Sequence, residues 1–280
     1  MPILADLLTL RETCQRFLEA ITRTQREREL APIVKELEHA LAKAWRRQGA
    51  LFVNSLEEWR GKFPVEEALR EALDYPEWWP LLELAMSKTF HAFLDPIDAA
   101  IIEAYLMGGG AIIGSVGMGF SFNLANPRAQ AYIEEYGARM ITKINETTRD
   151  EIHTILKDAS EGGWGYDKTA KAITERFEEF AIGKPQQHIR SRAHLVAVTE
   201  SGNAYEEGNL EGATQLQERG MAMEKYWANV GDDRVSDGCL ANSAAGWIPI
   251  DAAFPSGHMR PLRFPGCRCA AQYRRMKTRA

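Results

Sequence analysis

Apolar residues return at every third or fourth position through most of this chain, and that period predicts helices. Leu7, Leu10, Cys14, Phe17, Leu18 and Ile21 fall on one face, and Ile33, Leu37, Leu41, Ala44 and Trp45 make a second stripe. Together they predict helix over 2–48, with the charged run Arg23 to Glu29 as a solvated helix end or turn and Gly49 as a stop. Leu51, Phe52, Leu56 and Trp59 continue the helical character. Pro64, followed by Glu66 and Glu67, suits the opening of another helix, because acids favour its positive end. Tyr75 to Pro80 interrupts the pattern with Trp78 and Trp79 set between prolines. Two adjacent tryptophans read either as core anchors or as an exposed partner-binding patch. His91, on an apolar face, reads as a structural residue.

The second half repeats the theme. Asn126 followed by Pro127 is a helix start. Tyr132, Tyr136, Met140, Ile144, Thr148, Ile152, Ile155 and Ala159 then step along one face until Gly162-Gly163. Asp167 opens a helix whose inner face is Ala170, Ile173, Phe177 and Phe180, and a loop is expected over 181–187. A further helix is expected from about His188 to Arg219. After Gly220 the period changes. Short apolar runs alternate with Gly, Pro and Asp from Trp227 to Cys269, which predicts tight turns between short strands. The expected fold is mainly α with a small C-terminal α+β region.

Between Ala104 and Phe122 nineteen residues carry no charge and six are glycine. The length would suit a membrane span. Each glycine costs a helix about 1 kcal/mol relative to alanine, so the stretch reads as a connector and domain boundary. No G-K-[ST] follows the glycines, so they are not a phosphate loop. The expected organisation is a helical domain over 1–106, a connector over 107–122, a helical part over 123–220, an α+β cap over 221–272 and a basic tail over 273–280.

Charge adds an asymmetry. The 280 residues carry a formal net charge of −5, which argues against a general nucleic-acid coat. Residues 1–120 hold 13 Lys and Arg against 18 Asp and Glu, while residues 220–280 hold 9 against 5. Arg274, Arg275 and Lys277 at the basic end are candidate contacts for DNA or an acidic partner. Four cysteines are too few for a disulfide framework. Met1 to Leu10 has Asp6, no basic leader and no cleavage site, so cytoplasmic synthesis is expected.

Candidate chemistry is sparse. Glu200 and Asn203 share a helix face three residues apart, and a carboxylate on an apolar helix needs a partner. Arg192 and Arg234 are the candidates, with Asp233 beside the latter, and we expect a structural clamp. Cys239, His258, Cys267 and Cys269 are the set with ligand types suited to a closed structural zinc site. A disulfide from Cys239 to Cys267 or Cys269, or free thiols, are the alternatives, and no other cofactor is expected. Asp232, Asp233 and Asp237 read as turn residues. No nucleophile elbow, Ser-His-Asp order or H-E-x-x-H motif is present.

Several segments are similar to one family when taken in order. They are F-N-L-x-N-P-R-A at Phe122 to Ala129, I-N-x-T-T-R-D at Ile144 to Asp150, and Thr199-Glu200 with Asn203-Ala204-Tyr205. D-D-R-V-x-D at Asp232, P-I-D-A-A-F at Pro249 and C-R-C at Cys267 complete the set. Over about 120–272 the chain resembles the phage Mu F-like minor head proteins, also called phage head morphogenesis proteins. It has Ser236 and Phe264 where members often carry a cysteine and a histidine. The resemblance implies a minor capsid protein of the virion head, made in the infected bacterium. It further implies action in head morphogenesis, portal-associated capsid assembly and DNA packaging or delivery. Portal protein and major capsid or scaffold protein are the implied partners, with packaged DNA beside them. No small-molecule substrate, membrane association or enzymatic activity is expected. Two competing readings are a virion-carried enzyme or toxin-like effector using Glu200, Asp233 and His258, and a DNA-binding module acting through the basic tail.

Overall fold

A computed structural model describes residues 2–57, 60, 78–116, 119–182 and 191–276. Its helices are α1 (Pro2–Leu56), α2 (Trp79–Val116), α3 (Pro127–Glu161), α4 (Tyr166–Ile182), α5 (Arg192–Glu218) and the short α6 (Asp237–Ala244). The strands β1 (Met223–Ala228), β2 (Ile248–Pro249) and β3 (Ala270–Arg275) form one antiparallel sheet in the order β2-β1-β3. The expected class, mainly α with a small C-terminal α+β region, is borne out. The helices expected at Pro64–Glu67, the break at Tyr75–Glu77 and most of the 181–187 loop lie outside the described residues.

The chain forms two compact units, each assembled from separated segments. The first comprises residues 1–35, 100–132 and 197–280, and the second comprises 36–99 and 133–196. Long helices are therefore shared between cores, which the linear order of domains expected from the sequence does not describe.

In the second unit the stripe from Leu37 through Leu41, Trp45, Phe52 and Leu56 is buried as its period requires. Trp45 meets Phe93 edge-on, with ring centres 5.3 Å apart, and Phe180 at 5.9 Å. Ile144, Ile152, Ile155 and Ala159 of α3 and Ile173 and Phe177 of α4 are buried as well. Arg192 is a core residue of this unit. Its guanidinium lies over Trp45 and Phe180 and donates to the Ile144 carbonyl at 2.9 Å and to Thr148 at 3.2 Å. Burial lowers its pKa to about 10. Trp78 is buried against Phe52 and His153, and the Arg149 guanidinium covers Trp79. Trp78 is thus a core residue, and Trp79 beside it is partly exposed.

Two expected breaks do not occur. Gly49 lies inside α1, where a Cβ would come within 2.6 Å of Phe177. The 107–122 connector is helical as far as Val116. Gly108 and Gly109 there serve packing within the first unit. A Cβ on Gly108 would stand 2.1 Å from the Tyr205 carbonyl oxygen, and one on Gly208 the same distance from the Tyr105 carbonyl oxygen. This reciprocal contact brings α2 and α5 to backbone-to-backbone distance and offsets the low helix propensity. By length and composition α2 could cross a membrane, yet Ile101, Ala104 and Tyr105 are buried inside the first unit.

Where glycine and asparagine do punctuate, the sequence signals hold. Asn126 Oδ1 accepts the Arg128 N–H at 2.9 Å and starts α3. Gly163 takes a positive φ of 59° after the end of α3, and the Trp164 N–H closes back on the Ala159 carbonyl.

Candidate functional site

The first unit concentrates its buried polar groups where α5 meets the C-terminal region. In α5 the segment from Glu200 to Leu216 is buried on nearly every side. The sheet is built on β1, whose Met223, Trp227 and Ala228 are buried, and Trp227 heads a cluster with Cys239, Phe254, Leu262, Cys267 and Cys269. A second cluster joins Ala213 and Leu216 of α5 to Ile113, Met221, Met223 and Ile250. Apolar packing thus places the C-terminal region on α5, and a set of acids and arginines decides how it sits.

At the centre is Glu206, fully buried. One carboxylate oxygen accepts from Arg26 Nη1 at 3.0 Å and the other from the Ala271 N–H at 3.1 Å. The same guanidinium donates to the carbonyls of Cys269, at 2.5 Å, and Arg268, at 3.3 Å. One ion pair therefore ties α1, α5 and the start of β3. Burial pushes the Glu206 carboxyl above the usual glutamate range, and Arg26 pulls it back. Glu207 takes the Arg260 guanidinium, which also donates to Asn203 Oδ1 at 3.2 Å and to the Pro261 carbonyl at 2.7 Å. Thr199 Oγ1 accepts the Gly266 N–H at 3.0 Å. Glu211 receives two hydrogen bonds from Arg128, which also pairs with Glu218.

The residues singled out beforehand are distributed as follows. Asn203 contacts the C-terminal region through Arg260. Glu200 is buried on α5. Arg192 serves the core of the second unit. Asp233 and Arg234 stand on the exposed turn, where the Arg234 N–H donates to Asp232 Oδ1 at 3.1 Å. The ion pair at this turn is Asp232 with Arg268, at 2.7 Å, and Arg268 holds the Asp232 carboxyl below its usual range. Glu206 and Glu207 of α5 thus meet the C-terminal region together with Arg26 and Arg260. Glu200, Asp233 and His258 do not form one cluster of ligand atoms; among the described residues such a cluster forms only from cysteines.

Those cysteines are Cys239, Cys267 and Cys269. All three are buried, and their sulfurs lie within 4.8 Å of one another. Cys239 and Cys267 are 4.0 Å apart and unbonded, and all the thiols are free. The neighbouring Cys269 thiol pulls the Cys267 thiol below its ordinary range, and Cys269 is pushed up in return. His258 is outside the cluster. Its Nδ1 lies 3.0 Å from the hydroxyl and from the carbonyl of Ser256, whose N–H donates to Asn242.

The basic end is partly internal. Arg274 belongs to β3, pairs with Glu224 at 2.5 Å and lies 3.8 Å over the Trp247 ring. Arg275 is exposed, and Lys277 lies outside the described residues. Beside β3 runs a groove of about 390 Å³, lined in part by Gln15, Arg26, Glu206, Asn209, Gln272 and Tyr273. Lys225 is fully buried on β1, donates to the Met259 carbonyl at 2.7 Å, and is lowered to about 8 by burial.

Sequence reasoning missed Arg26, Glu206, Glu207 and Arg260. A signal existed for the first. Arg26 lies four residues before Leu30 and seven before Ile33, on the buried stripe itself, and the density of charge around it hid the phase.

The C-terminal α+β region is thus tied to α5 and α1 by ion pairs, of which Arg26–Glu206 is buried. Residues 150–272 match the family described as phage Mu protein F like protein, and the resemblance read from the sequence is borne out over that segment. That family points to phage head morphogenesis and to association with the virion head. No curated protein and no solved structure matches the chain.

Proposed function

We propose that this chain is a minor head protein that acts without catalysis in assembling the phage head. Its partners in this reading are the portal protein and the major capsid or scaffold protein, and it takes part in DNA packaging or delivery. It is made in the cytoplasm of the infected bacterium and enters the particle with those partners. The observation that carries the reading is the family match over residues 150–272. The physical chemistry of the same segment supports it. Glu206, Glu207 and Glu211 of α5 are engaged by Arg26, Arg260 and Arg128, contacts that tie the C-terminal region to its helical support.

The test is co-expression of the full chain with the portal protein of the same phage, followed by co-purification and crosslink mapping. Crosslinks concentrated within 150–276 are expected. A chain that purifies alone and is missing from mature particles and procapsids overturns the proposal.

A further inference from the structure

The three buried cysteines draw together distant parts of the C-terminal region. Cys239 lies on α6, Cys267 ends the turn-rich segment, and Cys269 directly precedes β3. Between Cys239 and Cys267 the regular structure is the rest of α6 and the two-residue β2. A segment so poor in backbone ladders gains most from a crosslink. The sulfurs are placed for one. Zinc–thiolate bonds of about 2.3 Å in a tetrahedron set sulfurs about 3.8 Å apart; the Cys239 and Cys267 sulfurs are 4.0 Å apart, and all three lie within 4.8 Å of one another. Cys239, Cys267 and Cys269 are 1%, 6% and 2% exposed, so an ion there would be shielded from exchange. Their surroundings, Trp227, Phe254 and Leu262, are apolar.

We propose that Cys239, Cys267 and Cys269 together hold one thiophilic divalent metal ion, of which Zn²⁺ is the reference, as a structural crosslink. This chain supplies three thiolates to the ion. His258 is not a ligand, since neither of its ring nitrogens joins the cluster of sulfurs. Each thiol that binds exchanges its proton for a metal–sulfur bond, so one divalent ion releases up to three protons and leaves the site at a net −1. Soft sulfur donors select zinc over the hard oxygen-seeking ions.

The experiment uses the full chain, purified under reducing conditions and loaded with Zn²⁺ or Co²⁺. One metal per chain is expected, with intense thiolate-to-cobalt charge-transfer absorption and the visible bands of a tetrahedral ion. Chelation should speed amide exchange over residues 237–269 at least tenfold, with little change in 36–99. Cys239→Ser, Cys267→Ser and Cys269→Ser should each lose the metal. Cys14→Ser and His258→Ala should keep it, and Cys14, exposed on α1, is the control for nonspecific thiol binding. Because the cysteine variants can fail to fold, the cobalt spectrum of the unaltered chain counts thiolates independently. Metal-free protein with four titratable thiols after unfolding overturns the proposal. So does a disulfide among the three cysteines found by peptide mapping, or metal lost on His258→Ala while that variant stays folded.

Discussion

Replacing Arg26 with methionine tests the Arg26–Glu206 clasp most directly. Methionine keeps much of the side-chain volume but removes three donated hydrogen bonds, to Glu206, Cys269 and Arg268. It leaves a fully buried carboxylate with the Ala271 N–H. Breaking a buried ion pair from one side costs about 3–5 kcal/mol, because the remaining charge is uncompensated. That is a large part of the 5–15 kcal/mol typical of a folded domain. The pH dependence follows from Glu206. Its folded pKa already lies above the ordinary value of 4.5, so its contribution is greatest below that value and declines as pH rises toward the folded pKa. Without Arg26 the folded pKa rises further and the decline continues over a wider span. The two urea-denaturation curves should therefore agree best near pH 4.5 and separate by about 3–5 kcal/mol at pH 7. Arg26→Met with Glu206→Gln should recover much of the loss, because an amide oxygen still accepts from Ala271 and carries no charge. Amide exchange at Ala270 and Ala271 reports the same event locally. A deficit below about 1 kcal/mol at pH 7, the size of an exposed pair, would refute the clasp.

Other substitutions probe separate features. Gly108→Ala drives a Cβ against a backbone carbonyl that cannot move aside, and a net loss of about 1–3 kcal/mol is expected in thermal unfolding. Gly110→Ala two residues away meets nothing within 4 Å and should gain about 0.5–1 kcal/mol. Lys225, lowered from 10.5 to about 8, binds protons more weakly in the folded chain. Stability should rise between those pH values, by up to about 3 kcal/mol, and Lys225→Met should flatten that rise in denaturation midpoints at pH 7.5 and 10. Arg192→Lys loses the planar stack between Trp45 and Phe180, and a loss of about 1–3 kcal/mol is expected in the second unit, read by amide exchange of α4.

Much of the fold was legible because helices announce themselves locally. The stripe at Leu37, Leu41 and Trp45, the Asn126-Pro127 start and the Gly162-Gly163 stop each depend on neighbours within a turn or two. The turn-rich end was legible for the same reason, since Gly, Pro and Asp constrain their own backbone. The candidate site was legible only in part. Cys239, Cys267 and Cys269 declared themselves by residue type, but that their sulfurs meet while His258 turns to Ser256 depends on the packing around Trp227. Glu206 and Glu207 were not legible as partners of Arg26 and Arg260, because a helix buried on nearly every side has no single phase to read.

Residue order alone determined the helical character, the short strands at the end and the kinship of residues 150–272, since each rests on local periodicity or on motifs in register. Tertiary structure decided what Arg26 and the glycines are for. A charged run looks solvated until Glu206 and two carbonyls, more than 170 residues away, are brought to it. A glycine run looks like a break until α5 lies within backbone distance. Both outcomes come from desolvation and close approach, which depend on neighbours distant in the chain.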